Sequence, residues 1–173
     1  MIMKNLFLLF GAAAAIGFYG CSKDDDNAAI INPQDRSLII MASLNNVAEM
    51  ALGQLAADSS QTPAIKEFGQ MMVNDHANAQ GGLVALASQY GVTPHDTPDQ
   101  EHIALLQKLL TLKGREFDSL YIHSQVADHY EAVTLFQTAY DLGNNRELGT
   151  YITSTLPTLQ QHLQHAQALA QDY

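Results

Sequence analysis

Three histidines interrupt apolar stripes that repeat with the period of an α-helix. They are His76, His129 and His162. His129, for example, follows Val126 by three residues and precedes Val133 by four, so these side chains share one helical face. An imidazole on an apolar face needs either a hydrogen-bond partner or a metal ion, which makes these positions candidates for chemistry.

A carboxylate interrupts a fourth stripe, where Glu49 shares a helical face with Leu52. In a bundle with one long crossover, His76 and His129 lie near the middle of their helices. Glu49 and His162 are displaced from the middle of theirs by about 6 Å, toward the same end. Four polar side chains would then meet at one level. A carboxylate with three imidazoles suits one transition-metal ion, such as zinc, copper, iron or manganese.

The same four residues also fit a purely structural role. A buried hydrogen bond between glutamate and histidine would explain one carboxylate among imidazoles. The di-iron pattern is absent, because the residues three positions before the histidines are Val73, Val126 and Leu159 instead of glutamate. Two functions stay open: a metal-binding protein for storage, scavenging or stress protection, and a non-catalytic envelope scaffold. The sequence has no glycine-rich phosphate loop, G-x-S-x-G elbow or cysteine nucleophile, so an enzyme without a metal has no support.

Three aspartates are candidates for supporting or structural roles. Asp75 and Asp128 each precede a histidine directly and so point about 100° away from it, where they either accept a hydrogen bond from a ligand or face the surface. Asp118 lies near the start of a predicted helix, where a carboxylate stabilises the helix dipole. The remaining histidines are predicted in loops or facing solvent; they are His95, His102, His123 and His165.

Apolar periodicity near 3.6 dominates the sequence from Pro33 onward and predicts helices throughout. Asn32 and Thr62, each followed by proline, indicate two helix starts, and Thr97-Pro98-Asp99-Gln100 indicates a third. Glycines at positions 91, 114 and 143 suit helix ends. The predicted helices cover residues 33–57, 63–90, 100–114, 116–142 and 145–173.

Two tight turns join the four long helices into two antiparallel hairpins. Between the hairpins lies a connection of about 25 residues with its own short helix, long enough to run the length of the bundle. The sequence therefore predicts an all-α, ferritin-like four-helix bundle over residues 33–173, with one long crossover. Pro157 removes a backbone donor and predicts a kink or break in the last helix.

Residues 1–20 differ from the rest of the chain. Lys4 is followed by an uncharged apolar run, which is short for a membrane span but typical of a signal peptide. The run ends in Phe18-Tyr19-Gly20-Cys21, which is similar to a lipobox, and Cys21 is the one cysteine of the sequence. We therefore predict a cleaved signal peptide, lipidation of Cys21 and an acidic, disordered tether over residues 21–32.

These features predict a lipoprotein of the cell envelope, attached to the outer membrane and facing the periplasm or the cell surface. The net charge of −10 repels phosphate backbones, which argues against nucleic acid as a partner. A lipid anchor, rather than a basic helix face, would hold the protein to the membrane.

Several short motifs occur in the order typical of one protein family. They are Ala48-Glu49, Gly53-Gln54-Leu55-Ala56, Phe68, Met71-Met72, Asp75-His76, Phe117-Asp118, Tyr121, His129 and Leu156-Pro157-x-Leu159-x-x-His162-Leu163. Over about residues 35–170 the chain resembles the domain-of-unknown-function 4142 family. The resemblance implies an exported bacterial protein with a ferritin-like fold. It also places Glu49, His76, His129 and His162 at the family's polar positions, and it implies no reaction.

Overall fold

A computed structural model describes residues 31–173, and these residues form helices and turns without strands. The helices are α1 (Pro33–Ser59), α2 (Pro63–Gln89), α3 (Gln100–Leu109), α4 (Gly114–Leu142) and α5 (Arg146–Ala170). The predicted all-α class is confirmed. The predicted signal peptide, the lipidation site at Cys21 and the tether up to residue 30 lie outside the described residues.

Side chains cap three of the helices; two of these caps lie in predicted start signals, and the third, Asn145, was predicted only as the beginning of its helix. Asn32, Asp99 and Asn145 each accept the backbone N–H three residues further on, at 2.8–2.9 Å from the donor nitrogen. Thr62 precedes α2 as predicted but makes no such bond. Its hydroxyl instead donates to Oδ2 of Asp118, at 2.6 Å, and so ties the start of α2 to α4.

Several boundaries and one predicted break differ from the sequence-based expectation; α1 ends two residues later than predicted, at Ser59, and α5 ends three residues earlier, at Ala170. α3 ends at Leu109 instead of residue 114, because residues 110–113 form a turn in which the N–H of Leu112 bonds back to Leu109. α4 begins at Gly114, two residues earlier than predicted. α5 continues through Pro157 without a break. Pro157 deprives the carbonyl of Thr153 of its helical donor, and since Thr153 is exposed, water can bond that carbonyl.

Contacts at the two ends of the bundle give the direction of each long helix. At one end, Asp118 near the start of α4 accepts from Ser60, between α1 and α2, at 2.6 Å, and from Tyr173, after α5, at 3.3 Å. At the other end, the N–H of Asn145, before α5, donates to Asp35 in the first turn of α1, at 3.1 Å. α1 and α5 therefore run in one direction and α2 and α4 in the other. The connection from α2 to α4, which contains α3, must consequently run from one end of the bundle to the other.

The bundle interior consists of two apolar clusters with a polar layer between them. The first apolar cluster lies toward the α4–α5 turn and includes Leu38, Leu83, Phe136, Leu148 and Ile152. The second apolar cluster lies toward the α1–α2 turn and includes Leu52, Phe68, Met72, Phe117 and Tyr121. The polar layer consists of six buried residues, Asn46, Glu49, His76, Gln125, His129 and His162. Each of the four long helices contributes to both clusters and to the polar layer.

Among the described helices, α1 alone is long and apolar enough to cross a membrane by length and composition. However, 56% of its most apolar stretch is buried inside the bundle. α1 packs along α2 and also contacts α4 and α3, so its apolar residues have partners within the domain.

Candidate metal centre

The structure brings the three predicted histidines together in the polar layer. His76 lies on α2, His129 on α4 and His162 on α5, and none is more than 4% exposed. Their ring centroids are 5.2–5.5 Å apart in each pair. One ring nitrogen from each histidine lies within 4.8 Å of the other two, a spacing that allows a single metal ion to bind all three.

A chain of hydrogen bonds determines which nitrogen of His76 carries the proton. The backbone carbonyl of His95 can only accept, so the Gln80 nitrogen 3.1 Å from it donates. Gln80 therefore offers Oε1 to Nδ2 of Asn46, at 3.2 Å, and Asn46 offers Oδ1 to Nδ1 of His76, at 3.1 Å. Because Asn46 accepts, Nδ1 of His76 donates its proton outward, and Nε2 carries a lone pair.

The other two rings are held in the same way by different acceptors. Nδ1 of His129 donates to the backbone carbonyl of Gln125 at 3.0 Å, which leaves a lone pair on Nε2. Nε2 of His162 donates to the carboxylate of Asp75 at 2.9 Å, and its Nδ1 is buried without a hydrogen-bond partner among the described residues. Each histidine thus has one nitrogen whose proton is held on the outer side and a second, unprotonated nitrogen that can bind a metal ion.

The unprotonated Nε2 atoms of His76 and His129 lie 3.4 Å apart. Neither atom can donate to the other, so their lone pairs repel unless a cation lies between them. Two imidazole nitrogens bound tetrahedrally to one ion, each at about 2.0–2.1 Å, are about 3.3–3.4 Å apart. The observed separation therefore matches that of two ligands of one ion, and a nitrogen of His162 lies within 4.8 Å of both.

The electrostatic environment keeps the three rings neutral. Burial lowers the pKa of His129 to about 4. Burial, followed by the proximity of His129 and His162, lowers the pKa of His76 well below its usual 6.5. Burial also lowers the pKa of His162, although the hydrogen bond to Asp75 acts in the opposite direction. Neutral imidazole is the form that binds metal, so the rings are ready to act as ligands at neutral pH.

Glu49, the fourth predicted ligand, lies beside the histidine cluster and on the outer side of His129. Its Oε2 accepts from the side chain of Gln125 at 2.7 Å, and its Oε1 is 3.7 Å from Nδ1 of His129. Burial raises the pKa of Glu49 to about 7, although the hydrogen bond from Gln125 and the proximity of His102 lower it. Gln125 therefore contacts both groups: its backbone carbonyl accepts from the ring of His129, and its side-chain amide donates to the carboxylate of Glu49.

The three predicted aspartates have three different environments. Asp75 accepts from His162 on the neighbouring helix α5, so it supports a histidine other than the one that follows it in the chain. Oδ2 of Asp128 lies 3.9 Å from Nε2 of His102 and has no hydrogen-bond partner among the described residues. Burial, followed by the charge of Glu49, raises the pKa of Asp128 to about 7. Asp118 lies at the end of the bundle, where it accepts from Ser60 and Thr62, and not in the polar layer.

Three further residues belong to the site and were not predicted as such. Asn46 and Gln125 hold the outer nitrogens of His76 and His129, and each lies on the same helical stripe as a predicted residue, three before Glu49 and four before His129. That spacing is the signal by which they could have been found. His102 was predicted in a loop or at the surface, but it lies on α3, where its Nδ1 donates to Oδ1 of Asp99 at 2.8 Å, and it lines a cavity with Glu49 and Asp128.

The sequence profile described as "Domain of unknown function (DUF4142)" matches residues 22–169 of the chain. No curated protein matches the sequence. A solved structure of a DUF305 fragment from Deinococcus radiodurans is similar, with a TM-score of 0.73, 13% identity, and 83% of this chain and 99% of that chain covered. CopM in the Cu(II)-bound form is also similar, with a TM-score of 0.68, 16% identity, and 80% and 96% covered. At these identities the likeness is one of fold.

Proposed function

The chain belongs to the DUF4142 family, and we propose that it binds a transition-metal ion in the cell envelope through His76, His129 and His162. One observation carries this proposal: three buried imidazoles converge, each with its outer proton held by an acceptor and its other nitrogen unprotonated. Metal-binding histidines are typically oriented by such outer acceptors. Storage, scavenging or protection against metal stress would follow from such a site.

We propose copper as the preferred ion. Nitrogen ligands bind divalent copper more tightly than the other first-row metals. The similarity in fold to a protein solved in its Cu(II)-bound form supports the same choice, although it names no residue of this chain. Zinc, iron and manganese are the competing ions, and zinc is the strongest competitor because three imidazoles with one open position also suit it.

We assign Glu49 a supporting role instead of direct ligation. Its carboxylate approaches the outer nitrogen of His129, at 3.7 Å, and not the unprotonated one. A divalent ion bound by three neutral rings brings two positive charges into a buried layer, where a nearby carboxylate lowers the energy of the bound state. Asp75 provides a second carboxylate on the opposite side, through His162.

A scaffold with a purely structural histidine network is the alternative function. Such a network would pair each buried nitrogen with a donor or an acceptor. Here Nδ1 of His162 has no partner among the described residues, and two lone pairs face each other between His76 and His129. Both features favour the metal-binding function.

We further propose that the bundle is ferritin-like and that Cys21 anchors it to the outer membrane. The helix directions and the long connection through α3 support the ferritin-like interpretation. The lipobox-like Phe18-Tyr19-Gly20-Cys21 and the apolar run before it support a cleaved signal peptide and a lipid anchor. The protein would then face the periplasm or the cell surface.

Metal analysis tests the proposed function directly. The protein would be purified without a histidine tag, loaded with Cu(II), freed of excess metal and measured by mass spectrometry beside a His76→Ala/His129→Ala variant. We expect about one ion per chain in the wild-type protein and none in the variant. His123→Ala is the matched control, because His123 lies on α4 but is exposed. Failure of the wild-type protein to retain Cu(II) or any competing ion would contradict the proposal.

A further inference from the structure

We propose that the metal ion reaches the three histidines through a cavity between α1 and α4, in which the carboxylates of Glu49 and Asp128 attract it. This inference rests on the proposed function, because it concerns the route to the same site. The cavity has a volume of about 40 Å³. That volume accommodates a water molecule or an ion that has lost most of its hydration shell.

The cavity connects the surface of the bundle with the polar layer. Its lining includes Glu131, which is exposed, and continues past Asp128 to the rings of His76 and His129, which are 4% and 1% exposed. Asn45 lines it from α1. An ion entering beside Glu131 would therefore meet the rings of two of the three proposed ligands without unfolding of a helix.

Two carboxylate oxygens in the cavity lack hydrogen-bond donors among the described residues. Glu49 has a side chain only 5% exposed, and its Oε2 alone is hydrogen-bonded, to Gln125. Oδ2 of Asp128 is buried and makes no hydrogen bond. The buried Oδ2 of Asp128 is unfavourable without a donor, and a cation in the cavity compensates it and favours the ionised form of both carboxyl groups. The walls thus have the charge and the unsatisfied oxygens that attract a metal cation.

α3 forms the cover of this route. It packs against α1 and α4, and its His102 lines the cavity, with Nδ1 2.8 Å from Oδ1 of Asp99 and Nε2 3.9 Å from Oδ2 of Asp128. The connection from α2 to α4, which joins the two ends of the bundle, therefore also contributes the side chain of His102 to the entry route.

The α2–α5 side offers the competing route. Asp75 lines two surface grooves there, and one of them also touches His162. However, Asp75 meets the protonated Nε2 of His162, while the unprotonated Nδ1 is buried. An ion arriving from this side would have to break the hydrogen bond between Asp75 and His162, whereas the α1–α4 cavity already touches His76 and His129.

The rate of metal uptake distinguishes the routes. Metal-free full-length protein would be mixed rapidly with Cu(II), and uptake would be stopped with a chelator at increasing times. We expect Asp128→Asn to slow uptake about tenfold at low salt, by removing an attracting charge. The effect on uptake should shrink at high salt, because salt screens the attraction between Asp128 and the ion, whereas the effect of narrowing the cavity should not depend on salt.

Two further variants make the test specific. Asn45→Leu, which narrows the cavity with an apolar side chain and leaves the charge unchanged, should also slow uptake. Asp141→Asn removes an exposed acid elsewhere on α4 and should leave the rate unchanged. Wild-type uptake rates in both Asp128→Asn and Asn45→Leu would overturn the proposed route. A larger effect of Asp75→Asn on the uptake rate than on the affinity would also overturn it, because the ion would then enter from the α2–α5 side. If the wild-type protein bound no metal at all, the proposed function would fail instead.

Discussion

Nε2 of His76 and Nε2 of His129 lie 3.4 Å apart, and neither carries a proton that could join them. The proton of each ring is held on its far side, by Asn46 and by the carbonyl of Gln125. Such a pair is unfavourable by itself and becomes favourable with a cation between the rings. The predictions below concern that pair and its surroundings.

Metal binding should stabilise the folded protein. With free Cu(II) at a thousandfold excess over the dissociation constant, the gain is about 4 kcal/mol, which raises the melting temperature by roughly 10 °C for a domain of this size. Differential scanning calorimetry with and without Cu(II) measures the shift. His129→Ala should show no shift, whereas His123→Ala, an exposed control on the same helix, should retain it. Equal shifts in both variants would place the metal elsewhere.

Asn46→Leu should weaken metal binding about 10- to 100-fold, although it replaces none of the proposed metal ligands. The substitution removes the acceptor that holds Nδ1–H of His76, so the ring can present either nitrogen to the site. Competition with a chelator of known affinity measures the change. Gln70→Leu, at an exposed position of the same hairpin, is the control. An unchanged affinity in Asn46→Leu would show that the hydrogen-bond chain through Gln80 does not orient the ring.

In the metal-free protein, His129 should contribute a loss of stability as pH falls from 6.5 to 4. Burial lowers the pKa of His129 to about 4, against about 6.5 in the unfolded chain. The unfolded chain therefore takes up the proton first as pH falls, and the loss is about 3 kcal/mol from this residue. His129→Gln removes this titration, so the variant should differ from the wild-type protein by that contribution over the interval. Urea unfolding at several pH values tests this, and parallel curves for the two proteins would contradict it.

The titration of Glu49 should change the stability in the opposite direction to that of His129. Burial raises the pKa of Glu49 to about 7, above the value of about 4.5 in the unfolded chain. The neutral carboxyl is thus favoured in the folded state, so stability is retained at low pH and falls by about 3 kcal/mol as pH rises from 4.5 to 7. Glu49→Gln should remove this loss in the metal-free protein. Glu116→Gln, at an exposed site on α4, should not, and an identical response of the two variants would refute the assignment.

Cys21→Ser tests the proposed lipid anchor. Without the thiol, no lipid can be attached at this position, and the protein should move from the membrane fraction to the soluble fraction or accumulate unprocessed. Fractionation of cells and the mass of the purified chain measure both outcomes. A serine variant that still sediments with membranes and has the wild-type mass would rule out anchoring through Cys21.

Local signals predicted most of the helical framework. Asn32 and Asn145 cap their helices as expected from their position, because capping depends only on neighbouring residues. The meeting of His76, His129 and His162 was also predictable, since helical period and chain direction determine face and level. Which nitrogen of each ring faces the site was not predictable, because the ring orientation depends on acceptors from other helices, such as Asp75 for His162.

Two features that the sequence did not reveal have the same physical origin. The sequence shows that Glu49 faces the interior, but not that Gln125 reaches its carboxylate first and keeps it on the outer side of His129. Likewise, His102 looks like a surface residue until α3 docks against α1 and α4. Both depend on contacts between residues far apart in the sequence, which periodicity does not describe.

The position of the polar layer between two apolar clusters has a mechanical consequence. Each of the four long helices runs unbroken from one cluster through the layer into the other. Neither cluster can therefore shift along a helix without moving a residue of the layer, and a substitution in either apolar cluster would reach the ring nitrogens. The proposed site thus depends on the packing of both halves of the bundle, although it touches only its middle.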